Sequence, residues 1–465
     1  MKNGRSGRPL AWLAIGCAVL ALAAGAAWAQ EDEEEEAGPT VPPGFSYGVQ
    51  ATASYHWVNH AYFGADWGIT SDPHRTDYTW GEGFTRLRLN YGLPEGVWAS
   101  VGGTVMTTQA TDYYGTDNAF DGLVDRLAVG IENAGGGGFS LTAGRQDLQV
   151  GDGDVNGDGY ADTRAALWNI PLAFYDGVKG DLVRGPWHAL AFGARLSPTF
   201  AEEGETVKGF LAGAELGWSA GEERALAVGW FQREDDGTTD LDARALSVRG
   251  AYGLGGLQLA GELVEQFGQR GTTDLEGRGG HADATWTFPA RGEPYVQLQY
   301  LQFSGDDPGT EADESYQPWQ YGWTDWSRWY VADLVGSTLL TNSDTRVWKL
   351  ECGWSPCEQG SVRLLLHRID LDSGASWGGL PDGIGRGFAD EADLVFEREL
   401  SEHWSAWVMG GYARPREAAK ELVGAAASGQ VFASITYTFE GVGFGGGGSE
   451  PCAATCAKPC AKPCH

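Results

Sequence analysis

Apolar residues alternate with small or polar residues along most of the chain. In the segment YGVQATASYHW, residues 47–57, every second residue from Tyr47 to Trp57 is apolar, and small or polar residues lie between them. The segments TRLRLNY (85–91), DRLAVGIEN (125–133) and GQVFASITYTF (429–439) repeat this alternation. A period of two residues is typical of a β-strand with one apolar face. The pattern therefore predicts an all-β protein.

About eighteen such segments follow one another, each about 9 to 13 residues long, which suits a tilted strand that crosses a bilayer. Tight connectors such as LGG and ARGE alternate with longer ones such as those at 58–84 and 305–344. We therefore predict a closed antiparallel transmembrane β-barrel with short periplasmic turns and long extracellular loops. The predicted strands lie near residues 46–58, 84–92, 96–107, 122–133, 137–147, 173–183, 186–197, 205–219, 222–234, 243–254, 256–268, 280–290, 293–305, 344–354, 359–371, 389–399, 402–413 and 428–439.

The width of this barrel predicts a channel. Eighteen strands at a spacing of about 4.8 Å and a tilt of about 40° give a backbone diameter of roughly 35 Å, which side chains alone do not fill. We expect passive diffusion or export of a small solute or saccharide across the outer membrane of a Gram-negative-type bacterium. No spacing suggests a Ser-His-Asp set, so we do not expect an enzyme. The alternative is a plugged barrel that acts as a scaffold or receptor for a periplasmic or surface partner.

The two ends of the chain differ from the alternating part. Basic residues before an apolar run and the motif Ala-Trp-Ala predict a signal peptide over 1–29. An acidic flexible segment (30–45), the barrel (46–439) and a tail with a glycine linker and cysteines (440–465) follow. Removal of the signal peptide takes the formal net charge from −31 to −34, which excludes nucleic acid as the main partner. The expected partners are the lipid bilayer, a diffusing solute and, through the tail, a periplasmic protein.

One segment resembles a known family. Residues 144–153 read GRQDLQVGDG and residues 167–182 read LWNIPLAFYDGVKGDL, and this region is similar to the alginate-export family of 18-stranded outer-membrane porins. The resemblance implies passive passage of a polyanionic sugar or another small solute through an arginine-lined constriction. The predicted polar faces also carry many carboxylates, which would repel a polyanion unless the arginines cluster at the narrowest ring. We therefore expect a diffusion channel and leave its solute unassigned.

Basic residues on the predicted polar faces are the candidates for lining the pore. The simpler interpretation of each basic residue is that it is a polar side chain facing a water-filled interior. Together, these residues set the electric field that an ion meets in the pore. These candidates are Arg86, Arg88, Arg126, Arg249, Lys349 and Arg363, and Arg145 is added from the segment that resembles the family.

A predicted extracellular loop carries oxygen-bearing side chains at regular spacing. Asp154, Asn156, Asp158, the carbonyl of Tyr160 and Asp162 alternate with other residues, and Gly159 permits a sharp turn. Ca²⁺ takes six to eight oxygen ligands, so we expect a structural Ca²⁺ site that stiffens this loop. The alternative is a polar loop that is rich in Asp and Gly without binding a metal.

Cysteines and aromatic residues suggest further sites. Cys352 and Cys357 flank the sequence GWSP and are candidates for a disulfide in an oxidising compartment. Four cysteines of the tail recur every four residues, which leaves disulfides and metal binding open. Tryptophans in the long segment 305–344 either stack on a sugar or pack the loop against the barrel rim. They are Trp319, Trp323, Trp326 and Trp329.

Overall fold

The computed structural model describes residues 41, 43–64, 77–111, 120–148, 150, 174–195, 209–220, 224–235, 240–319, 340, 343–357 and 359–442. The predicted signal peptide and nearly all of the cysteine tail lie outside these residues. The strands are β1 (Gly44–Asn59), β2 (Tyr78–Gly92), β3 (Val97–Thr111), β4 (Phe120–Ile131), β5 (Phe139–Asp147), β6 (Phe174–Arg184), β7 (Trp187–Arg195), β8 (Gly209–Ser219), β9 (Arg224–Asp235), β10 (Leu241–Leu254), β11 (Leu257–Arg270), β12 (Thr273–Leu275), β13 (Arg278–Thr287), β14 (Tyr295–Phe303), β15 (Thr345–Cys357), β16 (Gly360–Leu371), β17 (Gly387–Glu399), β18 (Trp404–Pro415) and β19 (Ser428–Val442).

These strands form one closed sheet. Neighbouring strands pair antiparallel, and β1 pairs with β2 on one side and with β19 on the other. The short strand β12 pairs with the end of β11, while β11 pairs along its length with β13. Eighteen strands therefore form the wall and one is additional, which confirms the predicted 18-stranded antiparallel barrel. Closure leaves no edge, so the backbone groups of the wall are paired within the sheet, as hydrocarbon requires.

Several strands extend beyond the predicted segments at the long connections, while β14 is shorter there. For example, β2 begins at Tyr78, although the alternation predicts a start near residue 84. The pattern also gives no sign of β12 or of the short helix α1 (Glu417–Leu422), which lies in the connection between β18 and β19. Among the residues that the structure describes, no helix is long and apolar enough to cross a membrane.

The outward face of the wall is apolar and suits contact with lipid. Leu127 is 61% exposed and Leu263 is 70% exposed, whereas their inward neighbours Ala128 and Val264 are buried. Exposed aromatic residues gather where strands meet the short turns, as an interfacial girdle does in membrane barrels. They are Tyr91, Trp187, Trp218, Trp286, Trp354 and Trp404.

The inward face has two zones. Near the long connections it is apolar, and side chains from several strands form one buried cluster that includes Leu211, Ala243, Phe303, Ile369 and Phe388. Ala418 and Ala419 of α1 are fully buried in the same cluster. Farther toward the short turns the inward face is polar. Apolar residues on both faces at one end explain why loops can pack against the inside of the barrel there.

The segment that follows β14 bends into the mouth of the barrel. The side-chain amide of Gln266 donates to the carbonyl of Gln317 (2.7 Å), and the Gln317 N–H donates to Gln266 Oε1 (2.9 Å). Fully buried Tyr316 lies against Gly279, where an added Cβ would be 2.6 Å from the tyrosine ring. Arg233 of β9 donates to the carbonyl of Trp319 (2.6 Å). Residues 304–319, here called the mouth loop, therefore narrow the entrance.

Candidate channel lining

Between the apolar zone and the short turns, charged side chains project into the barrel. Six of the seven predicted lining residues lie on the inward face, because they alternate along their strands with exposed apolar residues such as Leu87 and Val248. These six are Arg86, Arg88, Arg126, Arg249, Lys349 and Arg363. Their contribution to a conduction path stays a prediction.

A β-bulge places an acid beside Arg86. The pairing of β3 with β4 shifts between Gly102 and Thr104, so β4 holds an extra residue there. Val124 on one side of the bulge is exposed, while Asp125 is 2% exposed and turned inward. The Asp125 carboxylate lies 2.9 Å from Arg86 Nε and accepts a hydrogen bond from the Thr104 hydroxyl (2.6 Å).

The same region holds a second ionic group. Arg88 Nη2 lies 3.2 Å from Asp147 Oδ2, and Arg126 Nη1 lies 3.8 Å from the same oxygen. The Arg126 guanidinium also lies 5.5 Å from the centre of the buried Trp98 ring, a cation–π arrangement. Two arginines thus share one carboxylate on this part of the wall.

On the wall formed by β8 to β11, Arg249 pairs with an acid. Its Nη2 lies 2.6 Å from Glu215 Oε1, and the Glu215 side chain is 3% exposed. The hydroxyl of Ser247, two residues earlier on β10, donates to the carboxylate of Glu262. Both carboxylates are therefore held in place by inward-facing partners on β10.

The most deeply buried charges lie on β15, β16 and β17. Lys349 Nζ is 3.2 Å from Glu351 Oε2, and Arg363 Nη2 is 2.5 Å from Glu397 Oε1. The Tyr295 hydroxyl donates to Glu351 Oε1 (2.7 Å), which also lies 3.9 Å from Arg363 Nη1. In the described part of the chain, each of the six inward basic residues thus has a carboxylate within 4 Å, and Arg88 and Arg126 share one.

Arg145 does not point into the lumen, so the expectation that it lines the pore is wrong. It pairs across the sheet with Leu127, and cross-strand partners share a face. Leu141, four residues earlier on the same strand, is also exposed. Arg145 instead makes two hydrogen bonds to Asp176 (2.8 and 2.9 Å) on the outward face. Arg145 and Leu141 are four residues apart on one strand, so the alternation in the sequence already predicts that both point to the same face.

An aromatic and ionic group on β1 and β2 was not among the predicted sites. His56 Nε2 lies 2.6 Å from Glu82 Oε1, and the imidazole stacks on Trp80 with ring centres 4.3 Å apart. Ser54 also donates to Glu82 (3.2 Å). His56 falls on the polar side of the predicted alternation, whereas Glu82 precedes the predicted start of its strand near residue 84.

The expected disulfide between Cys352 and Cys357 is wrong. Both residues lie on β15, and Cys352 is an exposed free thiol while Cys357 is bonded to another cysteine. Five residues of extended strand separate their Cα atoms by about 16 Å, and a disulfide needs less than about 7 Å. The expected turn between them lies instead after Cys357.

The remaining predicted sites fall largely outside the described residues. These are the Ca²⁺ ligands Asp154, Asn156, Asp158, Tyr160 and Asp162, and the tryptophans Trp323, Trp326 and Trp329. Trp319 is described, and it is 6% exposed within the apolar cluster of the mouth. Its position favours packing of the loop over stacking on a solute.

A comparison of the sequence with known protein families identifies the family of this barrel. The family described as alginate export matches residues 112–432, which is more than half of the chain. The chain belongs to the alginate export family. No curated protein matches its sequence.

Solved structures of outer-membrane channels share the fold of this family member. OprD from Pseudomonas aeruginosa superposes with a TM-score of 0.56 at 12% identity, covering 86% of this chain and 96% of that one. OccAB4 from Acinetobacter baumannii gives 0.54 at 10% identity, covering 87% and 100%. OccK5 (OpdH) from P. aeruginosa gives 0.54 at 9% identity, covering 85% and 98%. The alginate export family and this barrel place the protein in the outer membrane as a porin-like channel for a diffusing solute.

Proposed function

We propose that the protein conducts small cations or uncharged solutes, such as a small saccharide, by passive diffusion, and that it catalyses no reaction. The observation that carries this proposal is the excess of buried acid. Of the described residues, ten carboxylates are buried, against Lys349 and Arg363, and the half-buried inward residues Arg86, Arg88, Arg126 and Arg249 bring the basic side chains only to six. Rings of carboxylates favour cations in channels. Because the inward arginines are already paired, they leave little attraction for a polyanion such as alginate.

The test is single-channel recording in planar bilayers with a KCl gradient. We expect discrete conductance steps and a reversal potential that favours K⁺ over Cl⁻. A Glu215→Gln variant removes the acid beside Arg249 and should move the reversal potential toward Cl⁻. The matched control is Glu402→Gln, because the Glu402 side chain is 84% exposed beside a short turn. A wild-type preference for Cl⁻ would refute the proposed selectivity, and complete absence of steps would favour the alternative plugged scaffold or receptor.

A Ca²⁺-stiffened extracellular loop is the second part of the proposal. It rests on the spacing of Asp154, Asn156, Asp158 and Asp162 around Gly159, since carboxylate, amide and carbonyl oxygens are ligands of Ca²⁺. Calorimetric titration should show binding heat that is lost in an Asp154→Ala, Asp158→Ala double variant. Equal heats for the wild type and the double variant would exclude this site. We also propose that the cysteine tail (440–465) contacts a periplasmic partner, which cross-linking of the full chain in cells can test against a variant with the tail cysteines replaced by serine.

A further inference from the structure

Three potential metal ligands converge on the inward face of β16 and β17. They are His367, Glu391 and Asp393, and one nitrogen or oxygen atom of each lies within 4.8 Å of those of the other two. The pairing of the strands fixes this arrangement, because His367 is directly opposite Glu391. Asp393 follows Glu391 by two residues and therefore points to the same side. Two adjacent strands of a closed wall thus hold the three side chains in place.

The histidine in this group lacks a hydrogen bond. The side chains of His367 and Asp393 have no exposed surface, and neither ring nitrogen of His367 has a hydrogen-bond partner within the part of the chain that the structure describes. His367 Nδ1 lies 3.5 Å from Asp393 Oδ2, which is longer than a normal hydrogen bond. A buried polar group without a partner is costly. A bound ion that accepts the lone pair of a His367 ring nitrogen would remove that cost.

The donor set selects the kind of ligand. One imidazole nitrogen and two carboxylates suit Zn²⁺ and similar first-row divalent ions, whereas Ca²⁺ and Mg²⁺ prefer oxygen alone. Two carboxylates also supply the charge that balances a divalent cation. Lys349 lies opposite His367 across the sheet, but its ammonium group is paired with Glu351 at 3.2 Å. We propose that His367, Glu391 and Asp393 form a Zn²⁺-class metal site in the wall of the lumen.

The test is titration of the purified full chain in detergent with Zn²⁺, after iodoacetamide has blocked free thiols so that cysteines do not compete. The wild type should bind Zn²⁺ at a site that excess Ca²⁺ does not occupy. His367→Gln and Asp393→Asn should each weaken that binding at least tenfold or remove one equivalent. The control is His281→Gln, since His281 is another buried inward histidine, on β13. Heat-modifiable migration in SDS gels checks that every variant is folded.

Cobalt provides an independent readout. Co²⁺ at this site should give visible absorption bands without the thiolate band in the near ultraviolet, and the bands should vanish in His367→Gln. The proposal is overturned if the wild type binds no Zn²⁺, if His367→Gln binds as the wild type does, or if His281→Gln is the variant that loses the site.

Discussion

Asp344 stabilises the two long connections at the mouth of the barrel, and its replacement gives the sharpest stability prediction. The side chain is fully buried. Its carboxylate accepts hydrogen bonds from the backbone N–H groups of Ser373 (2.5 Å), Gly374 (2.9 Å) and Ser376 (3.3 Å) and from the Ser373 hydroxyl (3.0 Å). Hydrogen bonds to a charged group contribute about 1.5–3 kcal/mol each, and water that enters the site offsets part of this. We expect Asp344→Ala to lower the local stability of residues 373–376 by about 3 kcal/mol.

Hydrogen exchange measures this loss directly. A loss of about 3 kcal/mol corresponds to roughly a 100-fold fall in amide protection, which should be confined to peptides that contain residues 373–376. Asp344→Asn is the matched control, because asparagine keeps the size and one acceptor oxygen and tolerates the left-handed backbone at this position (φ 50°). It should lose clearly less protection than the alanine variant. Unchanged protection in Asp344→Ala would show that the carboxylate does not hold this connection.

Three further substitutions test the inward face. Arg363→Met removes the guanidinium that pairs with Glu397, while Glu351 keeps Lys349 as its partner. It should lower the free energy of unfolding by about 1.5–3 kcal/mol, measured by urea titration in micelles, and an unchanged midpoint would contradict this pairing. Gly279→Ala places a methyl group against the ring of Tyr316 and should displace the mouth loop. The displacement should appear as faster hydrogen exchange of the amides in residues 304–319. Exchange equal to that of the wild type would mean that Gly279 and Tyr316 do not hold the loop. Arg145→Ala should leave single-channel conductance unchanged while Arg249→Ala changes it, and equal effects would contradict the assigned faces.

Most of the wall could be predicted because a β-strand of a membrane barrel repeats every two residues. That period gave all eighteen wall strands, and it placed Arg86 and Arg249 on the polar face. The same rule applied to Arg145 would have turned it outward with Leu141. Its grouping with the lining residues came from the resemblance and not from the alternation.

The alternation could not predict contacts that depend on how one strand or loop is placed against another. The bulge that turns Asp125 toward Arg86 adds one residue to β4 and breaks the period locally. The bonds between the mouth loop and β9 or β11 join residues far apart in sequence, such as Arg233 and Trp319. The convergence of His367 with Glu391 requires the register of β16 against β17, and spacing along the chain contains no information on that register.

The two zones of the inward face give the proposed channel two places at which it can select solutes. An 18-stranded sheet alone encloses a lumen of low selectivity, but the apolar zone lets the mouth loop and α1 pack inside and reduce the entrance. Solutes that pass this entrance meet basic groups that are already paired, as Arg249 is with Glu215. The proposed preference for cations then rests on the excess of carboxylates over Lys and Arg side chains among the buried residues. The proposed function thus predicts size selection at the mouth and charge selection between the mouth and the short turns, so Gly279→Ala should alter conductance without altering the reversal potential, whereas Glu215→Gln should alter the reversal potential.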